Sequence, residues 1–286
     1  MESSGERLVP GSSDPDLRNE HFARYRFAEP LAAGKRVLDA GCGVGYGAAM
    51  IENVAQAVYA LDLDDASVRQ GRDACPRVRF LRACCSRLPF ADDSLDLVLA
   101  FEVIEHLASW EGLIHEALRV LRPTGTFLVS TPNRPYYRAS RVRPNPFHVH
   151  EFDYEEFRAS LESAFPHCVI FRQNHVPAIA LTSERARRPR AHFESAWSDP
   201  ETAHFLVAAC SVEPRDPPPD LAYLAHGGNV LRERELHIAK LEEWVAALER
   251  RHAATERRLS LELSRLPYRI LRRLRIAPRL PENWVE

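Results

Sequence analysis

The glycine-rich segment at residues 41–47 is the part of the sequence whose residue types point most directly to chemistry. It follows an apolar run that ends in Asp39, and glycine stands at every second position from 41 to 47. Such glycines let the backbone turn tightly and approach a ligand at the start of a helix, or they form a tight turn without a ligand. The dinucleotide fingerprint requires glycine where Tyr46 stands, so we do not expect a hydride-transfer enzyme.

A second acid, Asp62, ends the next apolar run, about twenty residues further along the chain. A carboxylate at this place can accept hydrogen bonds from both hydroxyls of a ribose. Asp62 also precedes a predicted helix, together with Asp64 and Asp65, where an acid can act only on the helix amino terminus. The glycine segment and the spaced acid together favour a nucleoside ligand.

His106 is the first candidate for acid–base chemistry. It follows the apolar run at residues 95–101, so we expect it at the carboxyl edge of the sheet, where ligands bind in parallel α/β sheets. It can act there as a general base on a hydroxyl, or it can only cap the next turn. The neighbouring Glu105 is given a structural role.

The remaining pattern predicts the elements that position these groups. Apolar strand-like runs alternate with helix-like stretches of about ten residues, which is typical of parallel βαβ units. We predict helices at residues 16–33, 48–57, 66–74, 110–121 and 154–164, and strands at 36–40, 58–61, 78–83, 95–101, 126–130, 169–172 and 205–210. Residues 131–153 are predicted to be a long loop, and Asp153 with Glu156 a capping box. The fold class is therefore α/β with a doubly wound sheet.

Composition limits the kind of protein. The 286 residues are 45% hydrophobic and 27% charged with a net charge of −2, which is typical of a soluble globular protein. No apolar run approaches the about 20 residues that span a bilayer, and no secretion signal is recognised at the amino terminus. The six cysteines show no CxxC spacing, so we interpret them as reduced thiols of a cytoplasmic protein.

Several stretches occur in the order of motifs of one known family: residues 37–47, Asp62, 88–90, 101–106, 119–123 and 130–133. Over residues 34–212 the chain resembles class I S-adenosylmethionine-dependent methyltransferases. The resemblance implies a Rossmann-like, seven-stranded sheet whose last strand is antiparallel. It also implies S-adenosyl-L-methionine as the cofactor.

The resemblance assigns cofactor-binding roles to residues of the first two strand ends. Asp39 and the backbone of Gly41, Gly43 and Gly45 would hold the methionine moiety, and Asp62 would hold the ribose. The segment after the third strand would hold the adenine.

At that adenine segment the chain departs from the family pattern. Cys84 replaces the usual acid, and a thiol is a poor acceptor for an exocyclic amine. We expect backbone groups near Cys85 and apolar contacts to hold the adenine, with a lower cofactor affinity. Phe101, in a matched stretch, is counted among the cofactor-binding residues.

Two further segments, residues 19–25 and 145–152, resemble bacterial methyltransferases found with glycosyltransferases in surface-polysaccharide assembly. In this interpretation Arg24 pairs with the cofactor carboxylate. Tyr25 faces the sulfonium through a cation–π contact.

The second of these segments supplies two candidate catalytic residues, since His148 and Glu151 can line an acceptor pocket under a lid. The alternative is a metal site made of His148, His150 and Glu151. No third cluster of ligands at useful spacing supports it, so no metal site is expected.

The sequence thus predicts transfer of a methyl group to an oxygen of a small-molecule or glycan-type acceptor, with His106, His148 and Glu151 as catalytic residues. The alternatives are a carbon methyltransferase acting on a quinone- or polyketide-like acceptor, and a degenerate methyltransferase fold that serves as a scaffold. A nucleic-acid substrate is not expected, because residues 1–228 carry 25 basic against 31 acidic side chains and no basic-aromatic stripe.

The domain plan follows from these assignments. We predict a leader and cap helix (1–33), a methyltransferase domain (34–213), a proline-rich linker (214–228) and a helical tail (229–286). Within the tail, residues 265–280 hold six arginines and no acid between apolar residues. Such a helix can make a peripheral contact with an anionic inner membrane surface or a protein, or it can be a solvated helix on its own domain.

Overall fold

The computed structural model describes residues 15–139, 145–175, 200–223, 230–264 and 270. The chain forms two compact units, residues 1–226 and 227–286. The arginine-containing segment at residues 185–190 and all of the predicted basic helix at residues 265–280 except Ile270 lie outside the described residues.

Seven strands of the first unit form one sheet in the order β3-β2-β1-β4-β5-β7-β6. Strand β7 is antiparallel to both of its neighbours, and the other pairs are parallel. The strands are β1 (Arg36–Ala40), β2 (Ala57–Asp62), β3 (Arg79–Arg82), β4 (Leu95–Phe101), β5 (Leu121–Pro132), β6 (His167–Gln173) and β7 (Phe205–Ser211). This confirms the predicted seven-stranded Rossmann-like fold and its antiparallel last strand.

Helices cover both faces of the sheet. Along β4, Leu97 and Leu99 belong to the apolar core on one face, while Val98 and Ala100 belong to the core on the other, as the two-residue period of a strand requires. The helices of this unit are α1 (Pro15–Ala32), α2 (Tyr46–Ile51), α3 (Asp65–Ala74), α4 (Trp110–Val120), α5 (Arg134–Ala139) and α6 (Tyr154–Glu162). Helices α1, α2 and α3 contribute side chains to one core, and α4 and α6 to the other.

Three local predictions were wrong. The helix predicted at residues 48–57 ends at Ile51, and Ala57 already belongs to β2. Strand β5 begins at Leu121 rather than at residue 126, because Leu121 already pairs with Leu95 and the strand continues across Pro123. The predicted loop at residues 131–153 contains the end of β5 and the short helix α5. Half of the predicted capping box forms, since Oδ1 of Asp153 accepts a hydrogen bond from the Glu156 N–H at 2.9 Å.

The second unit contains the helix α7 (Val230–Ser264). Seven of its described large apolar side chains are exposed: Ile238, Leu241, Trp244, Val245, Leu248, Leu259 and Leu261. None of the described helices combines the length and the apolar character that a membrane crossing requires.

The ring of Phe80 packs against two glycines, one from the turn after β1 and one from α3. A Cβ atom at Gly45 or at Gly71 would overlap this ring, and Phe80 itself is buried. Gly45 has a φ of 80°, in the left-handed region that favours glycine. Glycine at position 45 is therefore required both by the backbone and by the side chain packed on it.

We expect Gly45→Ala to lower the free energy of unfolding by about 1–3 kcal/mol more than Gly34→Ala, because only the first change overpacks the core. Gly34 is a matched control, since its φ is 69° and no atom lies within 4 Å of an added Cβ. Urea denaturation of the two variants measures the difference. Equal losses would show that Phe80 moves aside without cost.

Candidate active site

The turn after β1 forms the floor of the site at the carboxyl edge of the sheet. It is held to β2 by the N–H groups of Gly41 and Cys42, which donate to the Leu61 carbonyl at 2.7 and 3.0 Å. A Cβ atom at Gly41 would overlap Val103, whereas one at Gly43 would meet no atom within 4 Å. The backbone at Gly43 therefore faces open space, where a ligand can approach it.

Asp62 ends β2 directly beside this turn. Its Oδ2 accepts a hydrogen bond from the Gly43 N–H at 2.8 Å, and its Oδ1 accepts one from the Asp64 N–H at 2.9 Å. The N-cap of α3 is Asp64, whose side chain accepts from the helix backbone. Asp62 is therefore not the capping acid, and its carboxylate instead shapes the glycine turn.

Asp39 and Tyr25 form a buried pair beneath the turn. The Tyr25 hydroxyl lies 3.0 and 3.1 Å from the two carboxylate oxygens of Asp39. Burial raises the pKa of Asp39 from 3.8 to about 7, against the opposite effect of the tyrosine hydrogen bond. The Tyr25 ring also occupies the space that a Cβ at Gly47 would need, so α1 closes directly over the turn.

The guanidinium of Arg24 is buried next to this pair, with 2% of the residue exposed. Its Nη1 donates to Gln173 Oε1 at 2.9 Å and lies 3.7 Å from Glu102 Oε1, and its Cζ lies 4.9 Å from the Phe205 ring centroid. Nε and Nη2 have no hydrogen-bond partner among the described residues. A buried cation whose donors lack acceptors is energetically unfavourable. The space beside the Arg24 guanidinium therefore suits an anionic group.

The other predicted cofactor residues lie on two sides of the turn. Phe101, at the end of β4, packs edge-on against Tyr25 with ring centroids 5.2 Å apart. Cys85 is buried, and burial raises the pKa of its thiol to about 12, so it packs as a neutral side chain. Cys84 is exposed.

The predicted catalytic residues come together after β4. The Nδ1 of His106 donates to the Phe147 carbonyl at 2.9 Å. The rings of His106 and His148 have centroids 5.0 Å apart, and the His148 ring stacks on Tyr137 at 4.8 Å. Nδ1 of His148 lies 3.5 Å from Glu151 Oε1.

Backbone hydrogen bonds fix the segment that carries His148. The N–H groups of Val149 and His150 donate to the Glu105 carbonyl at 2.9 and 3.0 Å. The ring of His150 turns to Glu156, with Nε2 2.7 Å from Oε1. Of the metal ligands considered from the sequence, His148 and Glu151 lie side by side, whereas His150 pairs with Glu156.

Glu102, directly after β4, was not predicted from the sequence to belong to the site. It has a φ of 57°, a strained value for a non-glycine residue, and its Oε1 accepts a hydrogen bond from the Ser130 hydroxyl at 2.6 Å. Its place directly after a buried strand is the signal that marks it. Gln173, which orients Arg24, has no such signal, because it meets α1 only through the fold.

Residues 38–129 match the protein family described as "Methyltransferase domain". The matched part runs from β1 into β5 and contains the glycine turn, Asp62, Phe101 and His106. Arg24, Tyr25 and His148 lie outside it, so part of the candidate site comes from segments beyond the matched residues.

Similar proteins agree with this domain. A probable S-adenosylmethionine-dependent methyltransferase of Mycolicibacterium smegmatis is 43% identical over 163 residues, which are 56% of this chain and 63% of that protein. One of Mycobacterium tuberculosis is 41% identical over 166 residues, which are 56% of this chain and 60% of that protein. The chain thus spans less than two thirds of the length of these relatives.

A solved structure shares the fold of the seven-stranded sheet and its helices. The PH0226 protein from Pyrococcus horikoshii superposes with a TM-score of 0.53 at 16% identity, over 69% of this chain and 92% of that one. At this identity the likeness concerns the fold alone.

The buried acid gives a prediction on stability. Because the pKa of Asp39 is raised in the folded chain, its protonation contributes to the free energy of unfolding. This contribution is fully present below pH 4 and is lost as the pH rises through 7. We therefore expect Asp39→Asn to stabilise the ligand-free protein more at pH 8 than at pH 5, by on the order of 2 kcal/mol. Chemical denaturation at both pH values measures this, with the exposed Asp73→Asn as control. A difference that does not change with pH would contradict a buried, titrating Asp39.

Proposed function

We propose that the chain is an S-adenosylmethionine-dependent methyltransferase that transfers a methyl group to an oxygen of a small-molecule or glycan-type acceptor. The observation that carries this proposal is the meeting of two different groups at one sheet edge. An open glycine turn over buried Asp39 lies after β1. His106, which follows β4, packs there against His148 from the segment after α5. The family match and the relatives' names support the reaction class.

The residues of the first group fit the cofactor. Arg24 has two buried donors available for a carboxylate. Asp39 provides a buried carboxyl group beside the turn, and a cationic ligand would favour its ionised form. Gly43 leaves backbone open for close approach. In the proposed complex Asp62 binds the ribose, and the backbone near Cys85 holds the adenine.

The cofactor supplies, when bound, a methyl group made electrophilic by a sulfonium sulfur. Phe101, Tyr25 and Arg24 hold and orient it. His106 accepts the proton of the acceptor hydroxyl at Nε2, since its Nδ1 is engaged as a donor to the Phe147 carbonyl.

The acceptor side is polar, which supports an oxygen acceptor over the apolar acceptor of a carbon methyltransferase. The Nδ1 of His106 donates to the Phe147 carbonyl, in the segment that also carries His148 and Glu151. Nδ1 of His148 lies 3.5 Å from Glu151 Oε1. Sugar hydroxyls suit such donors and acceptors, so we place the enzyme among the tailoring enzymes of surface glycans. The intact glycine turn and Asp62 support a catalyst rather than a scaffold.

We expect Asp62→Ala to abolish cofactor binding, because the glycine turn and the ribose lose the same carboxylate. Calorimetric titration with S-adenosylmethionine measures it, and the exposed Asp73→Ala is the control. Full binding by the Asp62 variant would remove this residue from the cofactor site. Absence of binding by the wild-type chain would overturn the proposed function.

We expect His106→Ala to keep cofactor binding and to lower turnover by about 10²- to 10⁴-fold, the usual contribution of a general base. A methyl-transfer assay with labelled cofactor against nucleotide sugars, lipid-linked glycans and quinones measures turnover. His115→Ala, an exposed histidine on α4, is the matched control. Unchanged turnover in the His106 variant would contradict its role.

For the second unit we propose a peripheral contact with an anionic membrane surface or a protein partner, beyond a linker at residues 214–228. The exposed apolar side chains of α7 and the six arginines of residues 265–280 support it. We expect the chain to co-sediment with vesicles of anionic lipid, and less so in high salt. Replacing Arg272 and Arg273 by Gln should weaken this binding. Absence of sedimentation at every salt concentration would end the membrane proposal and leave the protein partner.

A further inference from the structure

We propose that Glu105, His106 and His148 bind a divalent metal ion that holds the acceptor hydroxyl. The three side chains each offer one ligand atom, and these atoms all lie within 4.8 Å of one another. Two imidazoles and one carboxylate form a common ligand set for first-row divalent ions. The inference rests on the proposed methyl transfer to oxygen and names how the acceptor is bound, but it replaces the role of His106 as general base by that of a metal ligand.

The fold brings these ligands together from distant parts of the chain. Glu105 and His106 belong to the single 3-10 turn Ile104–His106 after β4, and His148 belongs to the segment after α5. Two backbone hydrogen bonds, from Val149 and His150 to the Glu105 carbonyl, connect the two segments. The relative position of the ligands is therefore set by the backbone rather than by long side chains.

The ring of His106 is held by a hydrogen bond in the way that metal ligands usually are, and the ring of His148 lies beside a carboxylate. A carbonyl oxygen can only accept, so the Nδ1 of His106 carries the proton that it donates to Phe147, and the lone pair lies on Nε2. Nδ1 of His148 faces the Glu151 carboxylate at 3.5 Å, and Glu151 in turn accepts from Arg138 Nε at 2.7 Å. A ligand ring held through its other nitrogen by a carbonyl or a carboxylate is the common outer arrangement of metal sites.

Burial adds a reason for a cation at this place. Glu105 is 1% exposed and the His148 side chain is 2% exposed. Moving a carboxylate out of water costs several kcal/mol, and a divalent cation among the ligands offsets that cost. His106 is half-buried, so the cluster opens toward the acceptor side through this residue.

Three protein ligands leave coordination positions for the acceptor. A sugar hydroxyl, or two neighbouring hydroxyls, can occupy them, and this favours a glycan-type acceptor over an apolar one. A bound hydroxyl has a lowered pKa and releases its proton to water. Its oxygen then bonds to the methyl carbon, while the carbon–sulfur bond breaks and its electrons stay on sulfur. In the metal-bound enzyme His106 is a ligand, and it does not also take the proton.

Metal binding can be tested directly on the full chain without a histidine tag. Titration with Co²⁺, followed by visible absorption and by calorimetry, should show saturable binding of one ion with bands typical of nitrogen and oxygen ligands. We expect His148→Ala and Glu105→Gln each to weaken binding at least about tenfold, the lower end of what even supporting residues of metal sites contribute. His150→Ala, on the same segment but turned to Glu156, should bind as the wild-type chain does.

The outcomes separate this inference from the proposed function. Circular dichroism and titration with S-adenosylmethionine show for each variant whether the fold and the cofactor site are intact. A wild-type chain that binds the cofactor but shows no saturable Co²⁺ binding, or a His148 variant that binds Co²⁺ normally, would overturn the metal site and leave the methyltransferase proposal standing. Loss of turnover after chelation, restored by Mn²⁺ or Zn²⁺, is the expected functional result.

Discussion

The site depends on one steric constraint, the absence of side chains along the turn after β1. Three side chains from separate elements occupy the volume that Cβ atoms would take: Tyr25 at Gly47, Phe80 at Gly45 and Val103 at Gly41. They come from α1, β3 and the segment after β4, so the turn is the point at which these elements are fixed relative to one another. Of the four glycines at residues 41, 43, 45 and 47, only Gly43 has no side chain packed against it. Its open side is the surface that a ligand can reach.

Buried charge is the second organising property of this sheet edge. Asp39 and Arg24 are 1% and 2% exposed. Asp39 accepts from the Tyr25 hydroxyl, whereas Nε and Nη2 of Arg24 have no hydrogen-bond partner among the described residues. A protein gives up stability to hold such groups out of water. A ligand with a positive charge near Asp39 and a carboxylate near Arg24 would recover that free energy on binding, which is how a site becomes selective before any chemistry occurs.

Much of the fold follows from local sequence. Strands β1, β2 and β4 are largely apolar runs of five to seven residues, and β1 and β4 have the predicted bounds. The start of β5 was missed because its pairing with Leu95 crosses Pro123, a residue that normally breaks regular structure. Helix α5 was missed because Pro135 and arginines give its six residues the composition of a loop.

The site was predictable only where its residues lie at strand ends. Asp39, Asp62 and His106 follow apolar runs, and their common edge follows from the topology. The contact of His106 with His148 depends on two backbone hydrogen bonds between segments that are distant in sequence. A periodic pattern of apolar residues does not predict such bonds. The Arg24–Gln173 contact likewise depends on how β6 lies beside β7 at the far end of the sheet.

The single antiparallel strand has a consequence for how such a chain can diversify. Because β7 runs against its neighbours, β6 ends and β7 begins at the same edge where β1, β2 and β4 end. The connection between Gln173 and Phe205 therefore leaves and re-enters the sheet beside the ligand groups. Insertions or deletions there would leave the register of β6 against β7 unchanged, because the pairing of residues 167–173 with 205–211 sets it. This part of the sheet edge can therefore vary in sequence while the strand ends that carry Asp39 and Asp62 stay in place.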